Sequence, residues 1–187
     1  MDLAYFSMSY ECNEKCIFCP CSENARDIQP LSPDEMKRSV DIISSRGPLD
    51  IAVVSGGEPT LKKEFLDFAA YLVGKNIRIG LLSNSLKFAS KRYLDKLLAI
   101  TGPGMLEVTT AFHSHIARKH DHLTCQPNSF HKSLKGVLNV VDAGVKVSVK
   151  YNLINYTYRE LPDYIDWVYR TFPDKVNLIL CNIDLTG

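Results

Sequence analysis

The chain has 187 residues, of which 45% are hydrophobic and 23% charged, with a formal net charge of +1. That length and make-up fit one domain with a real core, as in an ordinary soluble globular protein. Balanced charge without a Lys or Arg stripe gives no support for nucleic acid as a partner, and the longest apolar runs, such as Ile77 to Leu82, are too short to span a membrane.

Along the chain, Leu3 to Tyr10 reads as a strand and leads into a cysteine-rich loop. Ser32-Pro33-Asp34-Glu35 announces a helix, with Ser32 as N-cap, Pro33 at the first helical position and Glu35 completing a capping box. Gly47-Pro48 stops it. Ile51 to Ser55 is a short strand of the buried type, followed by a helix from Lys62 to Val73. Ile77 to Ser83 is the third strand, with a helix from Ser90 to Ile100 ended by Gly102-Pro103-Gly104. Leu106 to Phe112 forms the fourth strand, and a long loop carrying most of the histidines follows. Asn128 is the expected N-cap of a helix from Ser129 to Ala143, with Gly144 at its C-terminal stop. Val145 to Ile154 is the longest strand, Leu161 to Thr171 the next helix, and Val176 to Ile183 the sixth strand.

Six strand–helix units without two-residue hairpin signals call for an α/β fold, a parallel sheet with helices outside. Crossovers repeated in order curl such a sheet into a partial (β/α)6 TIM-like barrel with parallel strands; a flat doubly wound sheet is the alternative. In both, function belongs to the carboxyl edge of the strands. The cysteines, Gly56 to Thr60, Ser83-Asn84, His113-Ser114, Asn152 and Cys181-Asn182 all end strands and so share that rim. On the fifth strand Val145, Val147, Val149, Tyr151 and Leu153 alternate with Lys146, Ser148, Lys150 and Asn152. With the valines toward the helices, the polar set lines the lumen and suits a polar ligand.

Four of the six cysteines lie at 12, 16, 19 and 21. The start Met-Asp-Leu-Ala-Tyr has no basic signal-peptide region, so a reducing, cytoplasmic compartment is expected, where dense cysteines favour metal or redox chemistry over disulfides. Cys12, Cys16 and Cys19 form C-x₃-C-x₂-C. Soft thiolates select iron–sulfur clusters, zinc or Cu(I). Structural zinc needs four ligands, usually from paired C-x₂-C knuckles, whereas one triplet on a [4Fe–4S] cube leaves an iron open.

With Phe18 just before Cys19, the stretch Cys12-x₃-Cys16-x-Phe18-Cys19 resembles the C-x₃-C-x-Φ-C motif of the radical S-adenosylmethionine (radical SAM) superfamily. Gly56-Gly57-Glu58-Pro59 is similar to its GGE motif, and Ser83-Asn84-Ser85 stands where many members carry T-N-G. The regions of the fourth and fifth strands resemble members that modify peptides or activate proteins. Ala111 departs from the pattern, since many relatives place a Ser there.

The resemblance implies an enzyme. Cys12, Cys16 and Cys19 would hold a [4Fe–4S] cluster whose open iron chelates the amino and carboxylate groups of SAM. Gly56 and Gly57 would let backbone approach that amino group, and Glu58 would add charge or fix the loop. Ser83, Asn84, His113, Lys150 and Asn152 would contact SAM. Reductive cleavage would give methionine and a 5′-deoxyadenosyl radical that takes hydrogen from a substrate, with a peptide or protein favoured and flavodoxin or ferredoxin as reductant. The alternative is a non-catalytic iron–sulfur protein in electron transfer or redox sensing. Cys21 is expected not to coordinate, because a fourth protein ligand would block the open iron. The histidines at 113, 115, 120 and 122 complete no zinc pattern. Cys125 and Cys181 read as small buried residues, and Tyr164, Trp167, Val168 and Thr171 as a core stripe. The chain reads as a single core domain over 1–187 that ends right after its sixth strand, either a minimal enzyme or part of a longer one.

Overall fold

The computed structural model describes residues 2–19, 29–173 and 175–182. Six strands, β1 (Leu3–Ser7), β2 (Ile51–Ser55), β3 (Arg78–Leu82), β4 (Leu106–Ala111), β5 (Lys146–Leu153) and β6 (Val176–Asn182), form one sheet in that order. Every neighbouring pair is parallel. A strictly sequential order has no point at which the winding reverses, which separates this sheet from the doubly wound alternative. It is the partial (β/α)6 barrel expected from the sequence.

The helices are α1 (Pro33–Ser44), α2 (Glu64–Gly74), α3 (Lys91–Thr101), α4 (Ala117–Thr124), α5 (Ser129–Asp142) and α6 (Leu161–Thr171). α1 starts as its sequence dictates: Ser32 Oγ accepts from Glu35 N at 3.3 Å, and Glu35 Oε2 accepts from Ser32 N at 2.8 Å. The core lies between sheet and helices. Ala52, Val54, Ile79, Leu81, Val108, Val147 and Val149 pack there with Phe65, Phe68, Leu72, Leu94, Val137, Val140 and Val168. Tyr164 and Val168 are buried and Trp167 packs beside them, so the aromatic stripe of α6 is core.

The opposite face of the sheet mixes apolar residues such as Ile51, Val53 and Leu82 with polar ones. Register places Ser7, Ser55, Thr109 and Ser148 in one row across β1, β2, β4 and β5, interrupted by Leu82. At the amino ends of β3 to β5, Glu107 bridges Arg78 (3.2 Å) and Lys146 (3.3 Å). The alternation on β5 thus does what its sequence suggested: Val147, Val149 and Tyr151 are buried, while Lys146 and Ser148 sit on the other, more open side.

Three expectations need correction. The segment after β4 is not all loop, because Ala117–Thr124 is helical; Ser114 Oγ accepts the N–H of Ile116 and opens it. Its polar sequence hid it, since only one side of a two-turn helix is buried. Asn128 does not cap α5 with its side chain. It lies at φ 62°, and Asp121 of α4 supplies the cap from 2.6 Å to Asn128 N, 2.8 Å to Phe130 N and 3.0 Å to Ser129 Oγ. Cys125 is exposed rather than buried, because it ends α4 in the left-handed region at φ 50°.

Candidate active site at the carboxyl rim

β1 ends at Ser7 and delivers the chain to the cysteine loop, which two neighbours hold. On one side Gly57 N donates to Ser9 O (2.5 Å) and Glu58 N to Glu11 O (2.8 Å). On the other, Lys15 N donates to Thr124 O (2.9 Å) and Ile17 N to Leu123 O (3.0 Å), at the C-terminus of α4. The two glycines are needed for the first contact. A Cβ on Gly57 would lie 2.2 Å from Glu11 O, and one on Gly56, whose φ is +128°, 2.1 Å from Ser9 O. The glycines therefore let the β2 turn dock against the cysteine loop.

Glu58 is the most heavily bonded group of the rim. It is buried, with Oε1 accepting from Thr60 N (3.0 Å), Thr60 Oγ1 (2.5 Å) and Ser83 Oγ (2.9 Å). Oε2 accepts from Asn84 N at 2.7 Å. Burial pushes its carboxyl up and the donors around it pull it down, with burial the larger influence. Glu58 thus brackets the ends of β2 and β3. Asn84 extends the bracket to the cysteine loop, with Nδ2 2.7 Å from Asn13 Oδ1 and 3.9 Å from Cys12 Sγ. Ser83 and Asn84, expected at SAM, thus have these protein partners.

At the ends of β4 and β5 a second group forms. His113 is buried, its ring edge-on to Phe18 at 4.7 Å and its Nδ1 3.5 Å from Asn152 Nδ2. Its backbone N–H donates to His120 Nδ1 at 3.2 Å, and the two imidazoles stack. Burial holds His113 down at about 3 and His120 at about 4, helped at His113 by His120 and Lys150. Both are neutral rings at physiological pH. Lys150 is half-buried and, among the described residues, its ammonium has no hydrogen-bond or ion-pair partner.

Cys12, Cys16 and Cys19 are all partly buried in one anchored loop, with Cys19 N bonded to Cys16 O at 3.0 Å. Burial pushes the Cys12 thiol up to about 11 and raises Cys16 further; each of these two is also raised by neighbouring cysteines. Among the described residues no three Cys, His, Asp or Glu side chains close around a common point. A metal would complete such a set by taking the cysteines as thiolates and displacing their protons. Soft donors, close spacing and a loop fixed on both flanks fit a thiolate-held cluster. Cys21 lies outside the described residues. Sequence reasoning missed Asn13 and Asp121. Each acts through a contact that only the fold creates, 71 residues apart in the case of Asn13 and Asn84.

No helix of the described residues is long and apolar enough to cross a membrane. The sequence profile of the Radical SAM superfamily matches residues 6–168. The Fe-coproporphyrin III synthase of Methanosarcina barkeri is 28% identical over 164 residues, covering 86% of this chain and 39% of the synthase. The probable GTP 3',8-cyclase of Thermococcus kodakarensis is 27% identical over 187 residues, covering 96% of this chain and 55% of the cyclase. Streptococcus suis SuiB bound to S-adenosylmethionine superimposes with a TM-score of 0.78 at 16% identity, over 100% of this chain and 41% of SuiB; SuiB is also known bound to its precursor peptide SuiA. The chain spans between a quarter and just over half of the length of the curated relatives it matches.

Proposed function

Because this chain belongs to the radical SAM superfamily, we propose that Cys12, Cys16 and Cys19 hold a [4Fe–4S] cluster and that the rim beside them binds and cleaves SAM. When bound, the cluster supplies a low-potential electron to the SAM sulfonium, the start of radical chemistry in this family. The chain's own residues do the rest. The docked glycine turn keeps the cysteine loop against β2 and offers backbone to the SAM amino group. Lys150, with no protein counter-charge, pairs with the SAM carboxylate. Asn152 and the neutral His113 offer hydrogen bonds to the ribose or the carboxylate. Glu58, Ser83 and Asn84 brace the floor of the site.

The observation that carries this reading is convergence. The cysteine loop, the glycine turn, His113, Lys150 and Asn152 end on one rim of one parallel sheet, above a row of hydroxyl side chains in the lumen. That row of hydroxyls suits a substrate with hydrogen-bonding groups, and a peptide or protein is the class we assign, with SuiB and its peptide SuiA as the structural parallel. An acidic low-potential carrier such as flavodoxin or ferredoxin serves as reductant.

The test is anaerobic reconstitution with iron and sulfide, followed by dithionite and SAM, with 5′-deoxyadenosine measured by mass spectrometry. The wild type is expected to release it, and Cys12→Ala, Cys16→Ala and Cys19→Ala to lose both iron and product. A brown protein that binds SAM without cleaving it would instead place this chain among electron carriers. A colourless, zinc-loaded protein would end the iron–sulfur reading.

A further inference from the structure

We propose that Asn84 is a positioning residue for the cluster: it holds Cys12 in place and aims an amide N–H at its sulfur. This rests on the reading that Cys12 is a cluster ligand. Every polar group of Asn84 is engaged inside the protein. Its backbone N–H donates to Glu58 Oε2 at 2.7 Å and its carbonyl accepts from Ser133 Oγ at 2.7 Å. Oδ1 accepts the N–H of Leu86 at 3.2 Å, which fixes which end of the amide is the oxygen. Nδ2 has two hydrogens; one serves Asn13 Oδ1 at 2.7 Å, and Cys12 Sγ lies 3.9 Å away. No N–H is left over for a second ligand.

The backbone around Asn84 is held from three further directions. Ser85 sits at φ 60°, its N–H bonded to Ser83 Oγ at 3.0 Å and its hydroxyl to Thr110 Oγ1 at 2.5 Å. Gly136 lets α5 come so close that an added Cβ would stand 2.1 Å from Ser85 O. The amide of Asn84 therefore belongs to a rigid frame, while Asn13 and Cys12 belong to a loop that must be placed. The Glu14 N–H also points at Cys12 Sγ, at 3.4 Å. Hydrogen bonds from N–H groups to a ligating sulfur stabilise the more negative, reduced cluster and so raise its potential. Asn84 sets part of that potential as well as the position of the ligand.

Asn84→Asp keeps the clamp but adds a charge that itself moves the midpoint negative. Cluster-loaded Asn84→Ala, which removes the N–H without adding charge, must therefore also shift negative for the N–H to be the cause. Asn13 can turn its amide and donate to the new carboxylate, so the clamp persists while the N–H toward Cys12 is replaced by an oxygen. Anaerobic redox titration followed by electron paramagnetic resonance should show a normal cluster content with a midpoint moved negative. The reduced-to-oxidised ratio at fixed poise should fall about tenfold, equivalent to about 59 mV for one electron. Asn84→Ala loses the clamp too; in the iron-free protein, peptide mapping should find Cys12 alkylated faster by iodoacetamide relative to Cys125. A midpoint equal to wild type in cluster-loaded Asn84→Asp or Asn84→Ala would overturn the proposal, as would unchanged Cys12 alkylation in folded Asn84→Ala. Wild-type protein without a [4Fe–4S] signal, or Cys12→Ala with full iron, would instead remove the reading beneath it.

Discussion

The backbone N–H of Asn84 donates to the carboxylate of Glu58 at 2.7 Å, joining the ends of β3 and β2 inside the protein. Glu58 is the acceptor for Thr60 and Ser83 as well, and all of its partners are donors. Glu58→Gln sets an NH₂ group against one of those donors and leaves a buried N–H without a partner. A lost bond of this kind costs about 1–3 kcal/mol. In a chain of this size that lowers the melting temperature by about 2–4 °C per kcal/mol. A thermal melt of the variant should show the fall, and an unchanged melting temperature would mean that the bracket is dispensable.

Gly57→Ala drives a Cβ to within 2.2 Å of Glu11 O, so the cysteine loop must move away from the β2 turn. Overpacking of this sort costs about 1–3 kcal/mol. Iron content after reconstitution should drop with the melting temperature. Gly104→Ala, where nothing stands within 4 Å, is the matched control and should leave both unchanged.

The sequence carried the architecture because periodicity and stop signals are local. The capping box of Ser32 and Glu35, the valine alternation of β5 and the run Ile51 to Ser55 each gave an element that the structure keeps. Local patterns do not show which loops touch. The cap of α5 by Asp121 depends on a helix whose polar sequence concealed it, and the left-handed backbone of Ser85 has no local signal in its side chain. The role of the two glycines also changed in content: their missing side chains make room for the cysteine loop itself.

Lys150 is a half-buried cation of the rim without a protein counter-charge among the described residues. If it faces the SAM carboxylate, Lys150→Met removes a charge-assisted bond of about 1.5–3 kcal/mol. Isothermal titration of SAM into cluster-loaded protein should then show affinity weakened by about 10- to 100-fold. Iron content should stay at the wild-type level, because Lys150 makes no hydrogen bond or ion pair with the cysteine loop among the described residues. Equal affinity in the two proteins would remove Lys150 from the SAM site.

His113 and His120 are stacked, buried and neutral, held at about 3 and about 4 against an ordinary value of 6.5. In the unfolded chain both rings take up protons near 6.5, whereas in the folded chain they resist until pH falls toward those lower values. The unfolded state therefore binds more protons across that window, and stability drops as the solution is acidified through it. The slope approaches about 1.4 kcal/mol per pH unit for each histidine. Glu14, pushed up to about 7 by burial, works in the opposite sense over the same range, so the histidine contribution is read from urea melts between pH 6.5 and 5 as the difference between wild type and His113→Gln. His113→Gln keeps a polar group beside Asn152 and removes one titrating ring, so its stability should fall less steeply over the same range. A variant with the wild-type slope would show that His113 takes up its proton as readily in the folded protein as in the unfolded chain.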